Sequence, residues 1–86
     1  MVSKKVTVNL KQGLHMRPAS VFVNQMATFA SEITITVSDK TLNAKSIMNV
    51  LGAGIKFGTE IVISANGSDE QTALDTAVDF VMTEFE

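Results

Sequence analysis

Gly13-Leu14-His15-Met16-Arg17-Pro18-Ala19-Ser20 joins two different hydrophobic periods in a chain of 86 residues. Upstream, Val6, Val8 and Leu10 alternate with Thr7 and Asn9, the period-two pattern of a half-buried strand. Downstream, Ala19, Phe22, Val23, Met26, Ala27 and Ala30 recur at helical spacing and give one apolar stripe. The stretch between them holds the only histidine and the only proline of the chain. Gly13 allows a tight approach, and His15 takes the place of a helix N-cap. Pro18 falls in the first turn, where its missing N–H costs no hydrogen bond. The joint therefore reads as strand, turn, helix.

That placement has chemical consequences. The open N–H groups of a helix start receive an anion such as phosphate. A neutral imidazole at that positive end is a nucleophile, because the helix dipole and Arg17 both disfavour the imidazolium. Once a phosphoryl group is attached, the same N–H groups and the guanidinium become ligands for its charge. A histidine at a helix start is by itself more often a polar cap, and a neighbouring arginine more often a solvated side chain. Gly-x-His-x-Arg-Pro-Ala at a strand-to-helix joint is far more specific than either residue alone, and it outlines a phosphohistidine site.

Outward from the joint, Ile33, Ile35 and Val37 alternate with Thr34 and Thr36, a second strand. Ser38-Asp39-Lys40 turns the chain, with Asp39 as the residue that tolerates a left-handed conformation, and Leu42 with Ala44 continues a short third strand. Ser46 stands in N-cap position before a helix of about two turns, Ile47 to Leu51, stopped by Gly52 and Gly54. Gly58 opens a fourth strand carrying Ile61, Ile63 and Ala65. Ser68 with Gln71 reads as a capping box for a last helix. The apolar face of that helix is Ala73 or Leu74, then Ala77, Val78, Val81 and Phe85. The order is β-α-β-β-α-β-α, an α+β chain whose strands suit an antiparallel sheet covered on one side. Gly52-x-Gly54-x-x-x-Gly58 matches neither glycine fingerprint for nucleotides and follows a helix rather than a strand.

Composition narrows the function. Residues 1–86 suit one domain, just large enough for a core of its own, with 45% apolar residues. There is no cysteine, so disulfides and thiolate metal sites are excluded, and one histidine builds no histidine metal cluster. No metal and no cofactor is expected. A formal net charge of −2 argues against nonspecific nucleic-acid binding. Without an apolar signal region or a long apolar run, the expectation is a cytoplasmic protein that inserts into no membrane.

With its elements placed, the chain resembles the histidine-containing phosphocarrier (HPr) family of the bacterial phosphotransferase system over essentially its full length. Gly13-Leu14-His15-Met16-Arg17-Pro18-Ala19 is similar to the family's phosphorylation-site signature, and Lys45-Ser46-Ile47-Met48 to its regulatory serine signature. The resemblance implies an open-faced β-sandwich, a four-stranded antiparallel sheet with three helices on one face. It implies that enzyme I, phosphorylated from phosphoenolpyruvate, donates to Nδ1 of His15, and that the group passes on to IIA components of sugar permeases. Arg17 would steady the phosphoryl group. Ser46 would be the substrate of an ATP-dependent HPr kinase/phosphorylase, with a transcriptional regulator as a further partner. Met16, Ser20, Ile47, Met48 and Leu51 would dock these partners, and a monomer is expected.

Four positions depart from the family pattern. Met16 replaces a common alanine, Leu51 a frequent methionine, Ala53 a usual leucine, and Asp39 a turn glycine. None removes a chemical group from the site. Ile47 and Leu51 share a face of their helix, whereas Met48 is turned about 100° from Ile47, so some of this apolar surface should stay exposed. Two other functions compete. One keeps the fold but acts mainly through Ser46 phosphorylation; relatives of that kind tend to lack the histidine retained here. The other is an acylphosphatase-type hydrolase using Arg17 and Asn43, but the glycine-rich loop of that family is not found ahead of the arginine.

Overall fold

The computed structural model describes residues 1–10, 13, 14 and 16–83. Lys11, Gln12, His15 and 84–86, with Phe85 among them, lie outside the described residues, as does the side chain of Met16. The elements are β1 (Val2–Thr7), α1 (Met16–Met26), β2 (Glu32–Val37), β3 (Lys40–Asn43), α2 (Ile47–Gly52), β4 (Glu60–Asn66) and α3 (Glu70–Met82). This is the expected order. The strands form one antiparallel sheet in the order β1-β4-β2-β3.

Alternation decides which face is covered. Val6 sits opposite Ile61, Ile35 opposite Ile63, and Ile33 opposite Ala65, and all six are buried. Their neighbours Thr34, Thr36, Val62 and Ser64 point the other way and are only half-buried. The helices close the apolar side. Ala19, Phe22, Val23 and Met26 line α1, and Ala73, Leu74, Ala77 and Val81 line α3. Phe22 meets Phe80 with ring centroids 5.3 Å apart and planes at 56°, a tilted arrangement that suits the ring quadrupoles. The sandwich is open on its polar face.

Several boundaries differ from the sequence reading, each for a visible reason. β1 ends at Thr7, not Leu10, because its partner β4 begins only at Glu60. Gly58 lies in a turn with φ +84° rather than in the strand. Val8 and Leu10 are nevertheless buried. Beyond the ladder Val8 N–H donates to the Thr59 carbonyl (2.9 Å), and Asn9 N–H to that of Val81 (2.8 Å). In the β2–β3 turn it is Ser38, not Asp39, that takes a positive φ, +56°. A positive φ at the first central residue alone is the pattern of a type II′ hairpin.

The stripe of α1 stops at Met26, and Ala27 and Ala30 are exposed. The chain is drawn off by Asp69. Its carboxylate accepts the backbone N–H groups of Ala30 and Ser31, each at 2.9 Å, and the Ser31 hydroxyl. For the same reason the expected Ser68–Gln71 capping box is absent. Asp69 is the N-cap residue of α3 but spends its carboxylate on the α1–β2 connection. Glu70 instead accepts Gly67 N–H at 3.1 Å, and Gln71 donates to Asp75. Gly67 is required by closeness, since a Cβ there would sit 2.6 Å from the Ser31 Cα.

The Ser31 hydroxyl first, and then the Ala30 N–H, hold the Asp69 carboxyl below its ordinary value. A carboxylate with a lowered folded pKa contributes stability above its unfolded pKa and loses it as pH falls through the folded one. Thermal melts from pH 7 downward should therefore show wild type losing stability below the ordinary carboxylate range. Asp69→Asn should be less stable at pH 7 and converge toward wild type in acid. A constant gap between the two across that range would show that the carboxylate charge is irrelevant to the staple.

Candidate functional site

The expected acceptor loop is anchored from below by backbone contacts and a buried leucine. Gly13 has φ +68°, and its N–H donates to the Leu10 carbonyl at 2.8 Å. A Cβ on Gly13 would overlap the Ile55 carbonyl oxygen and lie 2.7 Å from the Lys56 Cα. One residue on, Leu14 N–H donates to the Ile55 carbonyl at 2.9 Å, and the Leu14 side chain is buried. The β1–α1 connection is thus sewn to the α2–β4 connection just ahead of position 15.

α1 starts at Met16 with Arg17 second and Pro18 third. Its first turn therefore offers N–H groups with no partner inside the helix, the one at Pro18 being missing. No acidic residue stands in that turn to neutralise its positive end. Pro18 is buried and holds the helix start, while the Arg17 and Ser20 side chains are exposed. His15 itself lies outside the described residues.

α2 lies antiparallel beside α1. Ahead of α2, Lys45 Nζ donates to the Phe29 carbonyl (2.6 Å) beyond the end of α1, whereas Ile55 behind α2 meets Leu14 ahead of α1. Ser46 is the N-cap as expected, in extended conformation (φ −113°, ψ 113°). Its hydroxyl accepts the Asn49 backbone N–H at a long 3.4 Å and the Asn49 Nδ2 at 3.0 Å. Ser46 belongs to the end of α2 remote from Gly13, a helix length of about 9 Å away. Val50 is the buried residue of α2, Ile47 and Leu51 are half-buried, and Met48 is 76% exposed. The exposed apolar surface of α2 therefore lies mainly toward its Ser46 end, with half-buried Leu51 nearer the acceptor loop. Asn43 uses its side-chain oxygen locally, on the Lys45 N–H at 2.9 Å.

Sequence reading missed Phe57. It is 59% exposed on a turn in which Thr59 N–H donates to the Lys56 carbonyl (3.1 Å) and Lys56 N–H to the Thr59 hydroxyl (3.2 Å). The available signal was an aromatic directly before a glycine, in a stretch with no strand or helix period of its own.

The family model for the PTS HPr component phosphorylation site matches residues 2–83. The chain belongs to the HPr family. It is 49% identical over 76 residues to the phosphocarrier protein HPr of Mycoplasma capricolum, covering 79% of this chain and 85% of that one. It is 42% identical over 84 residues to the HPr-like protein Crh of Bacillus subtilis, covering 98% and 99%. The crystal structure of an HPr from Bacillus anthracis superposes with a TM-score of 0.91 at 42% identity, over 93% of this chain and 95% of that one. HPr phosphocarriers are carriers rather than catalysts, so family membership sets the hydrolase reading aside. The expectation of a monomer is not carried forward, because solved relatives include dimers of Crh and of HPr. Among the described residues no helix is long and apolar enough to cross a membrane.

Two glycines make a paired test of the anchoring contact. Gly13→Ala meets both a positive φ and backbone overlap, and should lower unfolding free energy by about 1–3 kcal/mol. Gly52→Ala, at the end of α2 with nothing within 4 Å of the new Cβ, should be neutral or gain about 0.4–1 kcal/mol. Denaturant titration of both variants checks the pair, and equal effects would show that the Gly13 contact is not tight.

Proposed function

We propose that this chain is a single-domain, cytoplasmic phosphoryl carrier of the phosphoenolpyruvate-dependent sugar phosphotransferase system. One observation carries the reading. The chain's only histidine immediately precedes a helix whose first turn holds open N–H groups, an exposed arginine and no carboxylate. In the proposed step Nδ1 of His15 attacks the phosphorus carried by enzyme I. The bond from phosphorus to the donor atom breaks as the new N–P bond forms, and the first-turn N–H groups with Arg17 meet the phosphoryl oxygens. Transfer to a IIA component repeats the exchange in the outward direction. Met16, Ser20, Ile47, Met48 and Leu51 form the surface on which these partners dock. The exposure of Ser20 and Met48 supports that role.

The resemblance to Crh supports a second output through Ser46, read by an HPr kinase/phosphorylase and a transcriptional regulator. Ser46 caps a helix with no acid in its first turn. A phosphate there adds about −1.5 to −2 charges at pH 7 and meets the favourable end of the dipole. The fold tolerates such a group, so its effect falls on partners.

Incubation with phosphoenolpyruvate and purified enzyme I, followed by intact mass, tests the carrier directly. Wild type should gain one acid-labile, base-stable phosphoryl group and His15→Ala none. Labelling of His15→Ala would overturn the assignment. Arg17→Ala should slow labelling about 100-fold or more at unchanged melting temperature, and Arg17→Lys should recover only part, lacking the planar fork. An alanine variant as fast as wild type would make Arg17 a bystander.

For the serine, Ser46→Asp should be labelled more slowly than wild type while melting at the same or a higher temperature. Ser46→Ala should be labelled normally and lose about 0.5 kcal/mol, the low end for a cap, given the long Asn49 N–H contact. An aspartate variant labelled as fast as wild type would leave Ser46 as a helix cap only.

A further inference from the structure

Charge is sorted along this chain to an unusual degree. Between Gly13 and Ser31 the only formal charge is Arg17, and between Lys40 and Thr59 there are Lys40, Lys45 and Lys56 without a carboxylate. From Phe57 to the end there is no lysine or arginine, while Glu60, Asp69, Glu70, Asp75 and Asp79 lie in or beside β4 and α3. The formal charges in and around α1 and α2 are cationic, whereas helix α3 itself carries only carboxylates. Within the cationic part Phe57 is exposed and rigidly presented. Gly58 takes φ +84°, its N–H is tied to the Val8 carbonyl at 2.9 Å, and Thr59 closes the turn on Lys56.

Phe57 is also close to the acceptor loop. The Lys56 Cα lies against Gly13, and consecutive Cα atoms are about 3.8 Å apart. Position 57 is one step from Lys56, and Leu14 is one step from Gly13, so their Cα atoms are separated by about 12 Å at most. A partner interface of about 800 Å² per side, centred on position 15, extends about 16 Å from its centre. Phe57 therefore lies within the reach of a protein that docks on the start of α1.

We propose that Phe57 is an aromatic anchor and specificity determinant for the protein that donates the phosphoryl group. The donor surface it fits has an apolar pocket rimmed by carboxylates, matching exposed Phe57 next to Lys56, with exposed Arg17 at the start of α1. This rests on the carrier reading above. A rigid aromatic exposed in the free protein and desolvated in the complex carries an outsized share of binding at little entropic cost. These cations steer the encounter and turn acidic α3 away.

The test is the rate of phosphoryl transfer from enzyme I and phosphoenolpyruvate as a function of carrier concentration. Phe57→Ala should raise KM about 5- to 30-fold with kcat near wild type and melting temperature unchanged. Phe57→Glu should raise KM further, and most at low salt, where repulsion from a carboxylate rim is least screened. Phe57→Tyr should restore most of the affinity. If wild type itself is not labelled, the carrier reading fails. If wild type is labelled and Phe57→Ala keeps its KM, the anchor is overturned while the carrier reading stands. A Phe57→Glu variant that improves with falling salt would overturn the acidic donor surface.

Discussion

The close approach of Gly13 to the Ile55–Lys56 backbone is the constraint on which the candidate site depends. No side chain fits between these two connections, so the β1–α1 and α2–β4 crossovers stack main chain on main chain. The Leu14 N–H to Ile55 carbonyl bond then fixes where α1 can begin. A helix start is useful for binding an anion only if it is held open to solvent on a scaffold that does not move. Here the scaffold is backbone hydrogen bonding and a buried Leu14. Among the described residues, the Arg17 and Ser20 side chains that follow are left to solvent.

The opposite end of α1 is held by different means. Asp69 gathers two backbone N–H groups and a buried hydroxyl from the α1–β2 connection, and Lys45 takes the Phe29 carbonyl nearby. A charged acceptor at the start of α3 and a charged donor ahead of α2 thus satisfy the backbone groups left over where α1 ends. One end of α1 is organised by the absence of a side chain and the other by two charges. The apolar stripe between them, Ala19 through Met26, binds the helix to the sheet and to Phe80 of α3.

This division explains what was legible in the sequence. Period-two strands and a 3.6-period stripe are repeated signals, so the seven elements and their order came through, as did the Ser46 cap, which is local. The ends of β1 and α1 did not. They are set by partners distant in the chain: Glu60 terminates the β1 ladder, and Asp69 captures Ala30 and Ser31. The Ser68–Gln71 pair has the spacing of a capping box, but Glu70 takes the Gly67 N–H, and Asp69, the N-cap residue, spends its carboxylate across the fold on Ala30 and Ser31. Ser38 takes the left-handed position because the two-residue hairpin places it first, a register that composition alone does not reveal. At the candidate site, some apolar surface of α2 was expected to stay exposed, and Met48 does. Phe57 was overlooked because exposure of a lone aromatic is decided by a turn, not by a period.

The antiparallel pairing of α1 and α2 also bears on how two phosphorylations would interact. It puts the helix starts, one behind His15 and one behind Ser46, at opposite ends of the pair, so each phosphate would meet the favourable end of its own dipole. Phosphates of about −2 charge on the order of 10 Å apart repel by about 1.7 kcal/mol in water, and physiological salt screens that within a Debye length of about 8 Å. Direct repulsion of this size slows transfer by less than about twentyfold even unscreened. Like charges pressed together across a protein interface cost several kcal/mol, and the half-buried Ile47 and exposed Met48 beside Ser46 are apolar surface on which a partner would press. The larger effect is therefore on docking. In the proposed carrier, Ser46 governs His15 through the partner that must cover both, rather than through the field between them.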